Sequence, residues 1–231
     1  MKYFRFYLLC LFAAVSNGEA RSQELAEVNF RGGQTLSSFS FRTDQDVIIR
    51  ISEDGKLLEW GNPWRLPGYH TPGKLETYPG RVEYYGNEYD TILRGKVKSI
   101  GTTMLQYYPS SETPAKAGKV KFVGRTLLDY FDNYENTAYR GKLKSIGTTF
   151  LTWYAAYEDE SIRGKIKLIG STNISYYTSF DDKNIRGKLK SIGPYNFAWY
   201  TQTDSRGYPG TLKSGPQQVS LGNVLYQLLL Y

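Results

Sequence analysis

Cysteine is almost missing from this 231-residue chain: there is one, Cys10, and it lies inside an apolar stretch near the start. Disulfide bridges and Cys-based metal sites are therefore excluded from the rest of the chain. Histidine is equally scarce, with His70 alone in the stretch "LPGYHTP". A lone His without Cys is more often a loop residue than a ligand, and any Ser/His/Asp set would have to use this same residue. No phosphate-cradling Gly loop, dinucleotide fingerprint or metal-ligand spacing occurs, so no cofactor is implied. Apolar residues at helical period are missing too, which excludes a helical bundle.

Long hydrophobic runs are also missing. The longest, Phe6–Val15, falls far below the roughly twenty residues of a spanning helix. It follows a basic start (Lys2, Arg5) and precedes small residues ending in Gly18 and Ala20. This three-part pattern predicts a secretory signal peptide over residues 1–20. A secreted or periplasmic, envelope-associated protein is the expectation, and an exported chain rich in Tyr but without disulfides suits a bacterial envelope. The formal net charge of +7 favours anionic partners without naming one.

What the chain does have is repetition. "RGKLKSIGTTFLTWY" at 140–154 returns at 186–200 as "RGKLKSIGPYNFAWY". With the first Gly of each unit as origin, Gly95, Gly118, Gly141, Gly164, Gly187 and Gly210 are spaced by 23 residues every time. A weaker copy starts at Gly73, and a remnant at Gly55. Two residues after the origin stands an aliphatic column: Val97, Val120, Leu143, Ile166, Leu189, Leu212. Around it run two Lys columns, Lys96, Lys119, Lys142, Lys165, Lys188 and Lys98, Lys121, Lys144, Lys167, Lys190. A second Gly follows, then an aromatic pair (Tyr107-Tyr108, Tyr130-Phe131, Trp153-Tyr154, Tyr176-Tyr177, Trp199-Tyr200), then an acidic, turn-like stretch such as "EDES" at 158–161.

Short β-branched and aromatic runs between Gly- or Asp-containing turns predict two strands per repeat. A three-residue "GTT" loop at 147–149 would set Ile146 against Phe150. Leu143, Ser145, Leu151 and Trp153 would then share one face, with Lys142, Lys144, Thr152 and Tyr154 on the other. Using "EDES" as the next loop pairs Trp153 with Ile166 and Tyr157 with Ile162. The predicted fold is all-β, an antiparallel meander of 23-residue hairpins in a curled sheet, roll or open barrel. A β-solenoid of parallel coils is the alternative. It would stack identical Lys columns about 4.8 Å apart, which like-charge repulsion disfavours.

One repeat cannot fold alone. Burying about four large apolar side chains gains roughly 6–12 kcal/mol, against roughly 1–2 kcal/mol per residue of ordering entropy. Neighbours must cover neighbours, as in other repeat arrays. The domain reading is leading strands and a Pro/Gly-rich loop at 21–72, the array at 73–215, and a capping strand in the apolar tail at 216–231.

Hairpin repeats of this length with "YY", an acidic turn and "GKLKS" resemble MORN repeats, especially the bacterial variant. The resemblance covers about residues 73–215. It departs from the family pattern in keeping only two Gly per repeat. It implies a β-hairpin array serving as a binding or scaffolding surface rather than a catalyst. Single-layer sheets of bacterial outer-surface lipoproteins are a more distant likeness, in shape only.

The candidate binding face consists of the ten paired Lys (Lys96, Lys98, Lys119, Lys121, Lys142, Lys144, Lys165, Lys167, Lys188, Lys190) with Tyr108, Tyr154, Tyr177 and Tyr200; Arg140 joins it. A basic aromatic strip of this kind suits a long anionic partner: a glycan, lipid head groups, or another envelope protein. Nucleic acid is the least favoured. The bland reading is that Lys keeps an exposed sheet soluble. Carboxylates recur once per repeat in turns (Asp90, Asp132, Glu158, Asp159, Asp182), as turn chemistry requires and an active site does not. The expectation is a protein without enzymatic activity. A glycan-acting carboxylate enzyme and an outer-membrane β-barrel are the alternatives.

Overall fold

The computed structural model describes residues 24–64, 73–87 and 90–230. The predicted signal peptide at 1–20 and His70 lie outside the described residues. The leading strands are β1 (Leu25–Arg31), β2 (Thr35–Arg42), β3 (Ile48–Ile51), β4 (Leu57–Pro63) and β5 (Leu75–Thr77). The array follows as β6 (Val82–Tyr84), β7 (Val97–Ile100), β8 (Thr103–Tyr107), β9 (Val120–Val123), β10 (Thr126–Tyr130) and β11 (Leu143–Ile146). It continues as β12 (Thr149–Trp153), β13 (Ile166–Ile169), β14 (Thr172–Tyr176), β15 (Leu189–Ile192) and β16 (Tyr195–Asn196). A short pair, β17 (Ala198–Trp199) and β18 (Leu212–Ser214), ends it before β19 (Gln218–Leu221) and β20 (Val224–Leu229).

Strands β6 to β16 form one 11-stranded antiparallel meander in chain order, as the repeat predicts. Neither the parallel coils of a solenoid nor a closed barrel occurs among the described residues. The second sheet has the order β19-β20-β1-β2-β3-β4-β5. The apolar tail therefore does not cap the array. Strand β20 lies inside the N-terminal sheet, parallel to β1 with Val28 opposite Tyr226 and Phe30 opposite Leu228. The chain passes from one sheet to the other between β5 and β6, within the weak repeat copy.

The covering of the array's apolar face follows from this topology. Val28, Phe30, Phe39, Phe41, Ile49 and Ile51 of the N-terminal sheet share one core with Leu105, Leu128, Leu143, Leu151, Trp153 and Ile174 of the array. Two sheets facing each other bury what neither buries alone.

The predicted hairpin register is off by one residue. Ile146 faces Thr149, not Phe150, across a two-residue turn. Gly147, with φ of 56°, supplies the left-handed first turn position, so the turn twist matches the strand twist. Alternation should then carry Leu143 and Ile146 to opposite faces, yet both are buried. A β-bulge resolves this. Tyr130 opposes Leu143 and Asp129 opposes Ser145, leaving Lys144 as the extra residue. The same skip isolates Lys98, Lys121, Lys167, Lys190 and Lys213. A bulged residue leaves the ladder and reverses the alternation beyond it.

Trp153 does pair with Ile166, as expected. The expected pairing of Tyr157 with Ile162 does not form. The ladder closes at Tyr154, whose N–H donates to the Lys165 carbonyl and whose carbonyl accepts from Gly164 N–H. Residues 155–163 then run as consecutive turns, with Ile162 buried and Tyr157 exposed.

Bulging leaves backbone groups that need partners, and the N-terminal sheet supplies them. Leu143 N–H donates to the Glu53 carbonyl at 2.8 Å, Val120 N–H to Gly55 at 3.0 Å, and Leu189 N–H to Gly33 at 2.6 Å. On the other side, the Leu143, Val120 and Leu189 carbonyls accept from Trp153 Nε1, Tyr130 Oη and Trp199 Nε1. The tips of the β1–β2 and β3–β4 hairpins are thus plugged into the array. Close approach requires Gly there: a Cβ on Gly33 would lie 2.1 Å from the Trp199 ring, and one on Gly55 2.4 Å from Tyr130 Oη.

Candidate binding strip on the array

The bulge decides where each Lys column goes, and the two columns part company. The first is structural. Lys119 donates to the Gly141 carbonyl of the next repeat, and Lys142 to Gly164 at 2.6 Å. Lys165 reaches Gln34 O at 2.6 Å and Lys188 reaches Gly32 O at 2.9 Å, both on the β1–β2 tip. Lys142 also pairs with Glu53 at 2.7 Å on the other tip. Each ammonium lies over the buried ring eleven residues later: Lys96 over Tyr107, Lys119 over Tyr130, Lys142 over Trp153, Lys165 over Tyr176 and Lys188 over Trp199, at 4.4–5.3 Å. Burial holds Lys96, Lys119, Lys165 and Lys188 below the ordinary Lys range. These side chains line the seam between the sheets. A cleft of about 440 Å³ opens there between Gln34, Glu53, Lys142, Arg163 and Lys165, with its ammonium groups already engaged as described.

The second column points outward. Lys144, Lys167 and Lys190 are exposed, and Lys98 and Lys121 half-buried. Each of four lies over the second aromatic of the preceding pair: Lys121 over Tyr108 at 5.1 Å, Lys144 over Phe131 at 5.7 Å, Lys167 over Tyr154 at 4.9 Å and Lys190 over Tyr177 at 5.6 Å. A fifth pair, Lys213 over Tyr200 at 5.6 Å, extends the row past the residues chosen from sequence. Of the ten paired Lys, four (Lys121, Lys144, Lys167 and Lys190) thus form a strip with Tyr108, Phe131, Tyr154 and Tyr177, which Lys213 and Tyr200 extend. The first column lies along the seam. Neighbouring pairs stand two strands apart, about 9–10 Å.

The ring partners are held by the next repeat. Tyr108 Oη donates to Leu128 O at 3.0 Å, Tyr154 to Ile174 O at 3.1 Å and Tyr177 to Phe197 O at 3.0 Å. Burial, with the nearby Asp129 carboxylate second, pushes the Tyr108 phenol up to about 12. Phe131 occupies this column without a hydroxyl. Acidic side chains temper the strip: Glu158 meets Lys167 at 3.3 Å, and Asp204 pairs with Lys213.

The turn carboxylates have construction work. Asp159 accepts from Ser161 N–H at 2.9 Å and, one repeat later, from Ser179 N–H at 3.1 Å. Asp90 and Asp182 make the same two-way clip, as does Asn136. Thr113 fills that column with a buried hydroxyl that has no partner. Hydrogen bonds to their ionised forms hold Asp159 and Asp182 below the usual carboxylate range. Among the described residues no cluster of three His, Cys, Asp or Glu side chains could hold a metal ion.

Sequence reasoning missed one feature of this edge. Tyr134, Tyr157 and Phe180 project from three successive turns. Their common position, seven residues before the repeat Gly, was the signal available. No family model, no curated protein and no solved structure matches the chain.

Proposed function

We propose that this chain is a non-enzymatic, exported β-repeat protein of a bacterial envelope, and that it binds an anionic glycan along its outer Lys/aromatic strip. The observation that carries the reading is the bulge. It lifts one Lys per repeat out of the ladder, and in five successive repeats that Lys, from Lys121 to Lys213, lies over an aromatic ring. A rigid row of cations matched to a long, regularly charged polymer gains attraction at every repeat. Asp90, Asp159 and Asp182 favour a binding role over hydrolysis, because each is committed to holding backbone N–H groups of two repeats. Glycosidase chemistry needs two carboxyl groups free to face one bond. The strip, with its construction from GK-x-K repeats, also agrees with the scaffolding role that a MORN-type resemblance implies.

Retention on immobilised dextran sulfate tests the proposal. The full chain is expected to be retained at low salt and released as salt rises. Replacing Lys121, Lys144, Lys167 and Lys190 by Gln should abolish retention at an unchanged unfolding midpoint. The same change at Lys119, Lys142, Lys165 and Lys188 should instead lower the midpoint, because the first two ammonium groups bind carbonyls of the next repeat and the last two bind carbonyls of the β1–β2 tip. Absence of retention, or retention indifferent to the outer column, would refute the reading.

A further inference from the structure

Three consecutive turns of the array each raise one aromatic ring into water: Tyr134, Tyr157 and Phe180 are 94%, 86% and 95% exposed. They occupy the same backbone position in successive repeats, so neighbouring rings stand two strands apart, about 9–10 Å. The flanking repeats have small polar residues there, Ser111 and Thr203. An aromatic is therefore not needed to make the turn. Nor does it contribute to the core, since a ring this exposed buries almost nothing.

The backbone beneath the rings is fixed. Asn136 ties its turn to the next through Ala156 N–H at 3.0 Å, and Asp159 does so through Ser179 N–H at 3.1 Å. The row is thus set before any ligand arrives, which lowers the ordering cost of binding. Polar residues separate the rings, so the surface is three spaced flat platforms and not one continuous apolar patch. A protein partner or a lipid surface would favour continuous apolar area. Glu135, Glu158 and Glu160 beside the rings repel polyphosphates and anionic membranes.

We propose that Tyr134, Tyr157 and Phe180 form a stacking platform for an extended, uncharged β-linked polysaccharide. The apolar C–H face of a pyranose lies flat on an aromatic ring. In an extended β-linked chain every second sugar presents the same face, and that two-sugar length is comparable with the spacing of two strands. The remaining sugars leave their hydroxyls to water and to the polar turn residues. The ligand differs in charge from that of the Lys strip and stacks on the rings alone; Glu158, next to Tyr157, pairs with Lys167 of that strip.

The test is a pull-down of the full chain with insoluble cellulose and with chitin in concentrated salt, which silences the Lys strip. Retention on at least one of them is expected. Each single change, Tyr134→Ala, Tyr157→Ala or Phe180→Ala, should lower the association constant about fivefold, and the triple change about a hundredfold. The triple conservative variant Tyr134→Phe, Tyr157→Phe, Phe180→Tyr should bind like the parent, because stacking needs the ring and not the hydroxyl. Lys144→Gln should leave retention unchanged. The proposal is overturned if the parent is not retained on either polymer, if salt abolishes retention, or if the triple Ala variant binds as the parent does. Binding to neutral lipid vesicles that the triple Ala change abolishes, without retention on either glycan, would reassign the row to lipid and equally overturn it.

Discussion

Replacing Gly55 by Ala tests the plugging of the hairpin tips into the array. Gly55 has φ of 80°, in the left-handed region, where a Cβ costs roughly 1–2 kcal/mol. That cost stays whatever surrounds it. The added Cβ would also lie 2.4 Å from Tyr130 Oη and 2.6 Å from the ring carbons Cε1 and Cζ. The ring has nowhere to go: it is 1% exposed, and its hydroxyl donates to Val120 O at 2.6 Å. The tip must then withdraw, which breaks the bond from Val120 N–H to Gly55 O and leaves a buried donor unpaired at about 1–3 kcal/mol. The sum is about 2–5 kcal/mol. Tyr130→Leu removes the obstructing atoms at its own cost in packing. In the double variant only the left-handed strain at position 55 should remain on top of that cost. The two changes should therefore be less than additive by about 1–3 kcal/mol. Urea unfolding at equilibrium, followed by Trp fluorescence, reads all four corners of the cycle. Additivity within about 0.5 kcal/mol would mean that the tip does not seat against Tyr130, and the account of the seam would fail.

Two further outcomes follow from the ring columns. Phe131→Tyr should raise stability by about 0.5–1 kcal/mol, read from the urea midpoint, because it supplies to the Leu151 carbonyl the hydroxyl that Tyr108, Tyr154 and Tyr177 supply at equivalent positions. Burial raises the phenols of Tyr107, Tyr108, Tyr130, Tyr154 and Tyr176 above the usual value near 10. Their neutral forms therefore stabilise the fold fully below the unfolded pKa, and this contribution is lost as pH rises through the folded values. Alkaline unfolding should begin above about pH 10, with tyrosinate absorbance and loss of sheet signal rising together. Separate transitions would refute the coupling.

Much of the fold is legible in the sequence because the repeat writes each column several times over. The antiparallel meander, the burial of Leu143 and Trp153, and the turn role of Asp159 and Asp182 all follow from residue type and period. The bulge does not, because an extra residue in a ladder changes no composition. Lys142 and Lys144, two apart, read as one face under strict alternation. Only the pairing of Tyr130 with Leu143 and Asp129 with Ser145 reveals that Lys144 has left the ladder. The covering of the array is hidden for another reason. The runs "SFSFR" and "DVIIRI" announce strands but not their partner, and the contact of Gly33 with Leu189 spans more than half the chain. For the outer strip, the aromatic columns are visible but the split of the Lys columns is not. The exposed rings are missed because Tyr157 reads as the strand partner of Ile162, whereas the ladder closes at Tyr154.

The parallel pairing of β1 with β20 has a consequence for the order of assembly. Glu27 meets Leu225 across nearly the whole chain, whereas β11 and β12 close over a two-residue turn and β10 and β11 over residues 131–142. Closing a long loop costs entropy before any contact returns it, while short loops close within microseconds. The array's hairpins are thus the fast, local events, and the joining of the last strand to the first is the slow, long-range one. Until that step, β1 keeps an unpaired edge and the core lacks Val219, Tyr226 and Leu228. A chain stalled there would offer its open strand to a second copy, so the final residues are the fold's latch against intermolecular pairing.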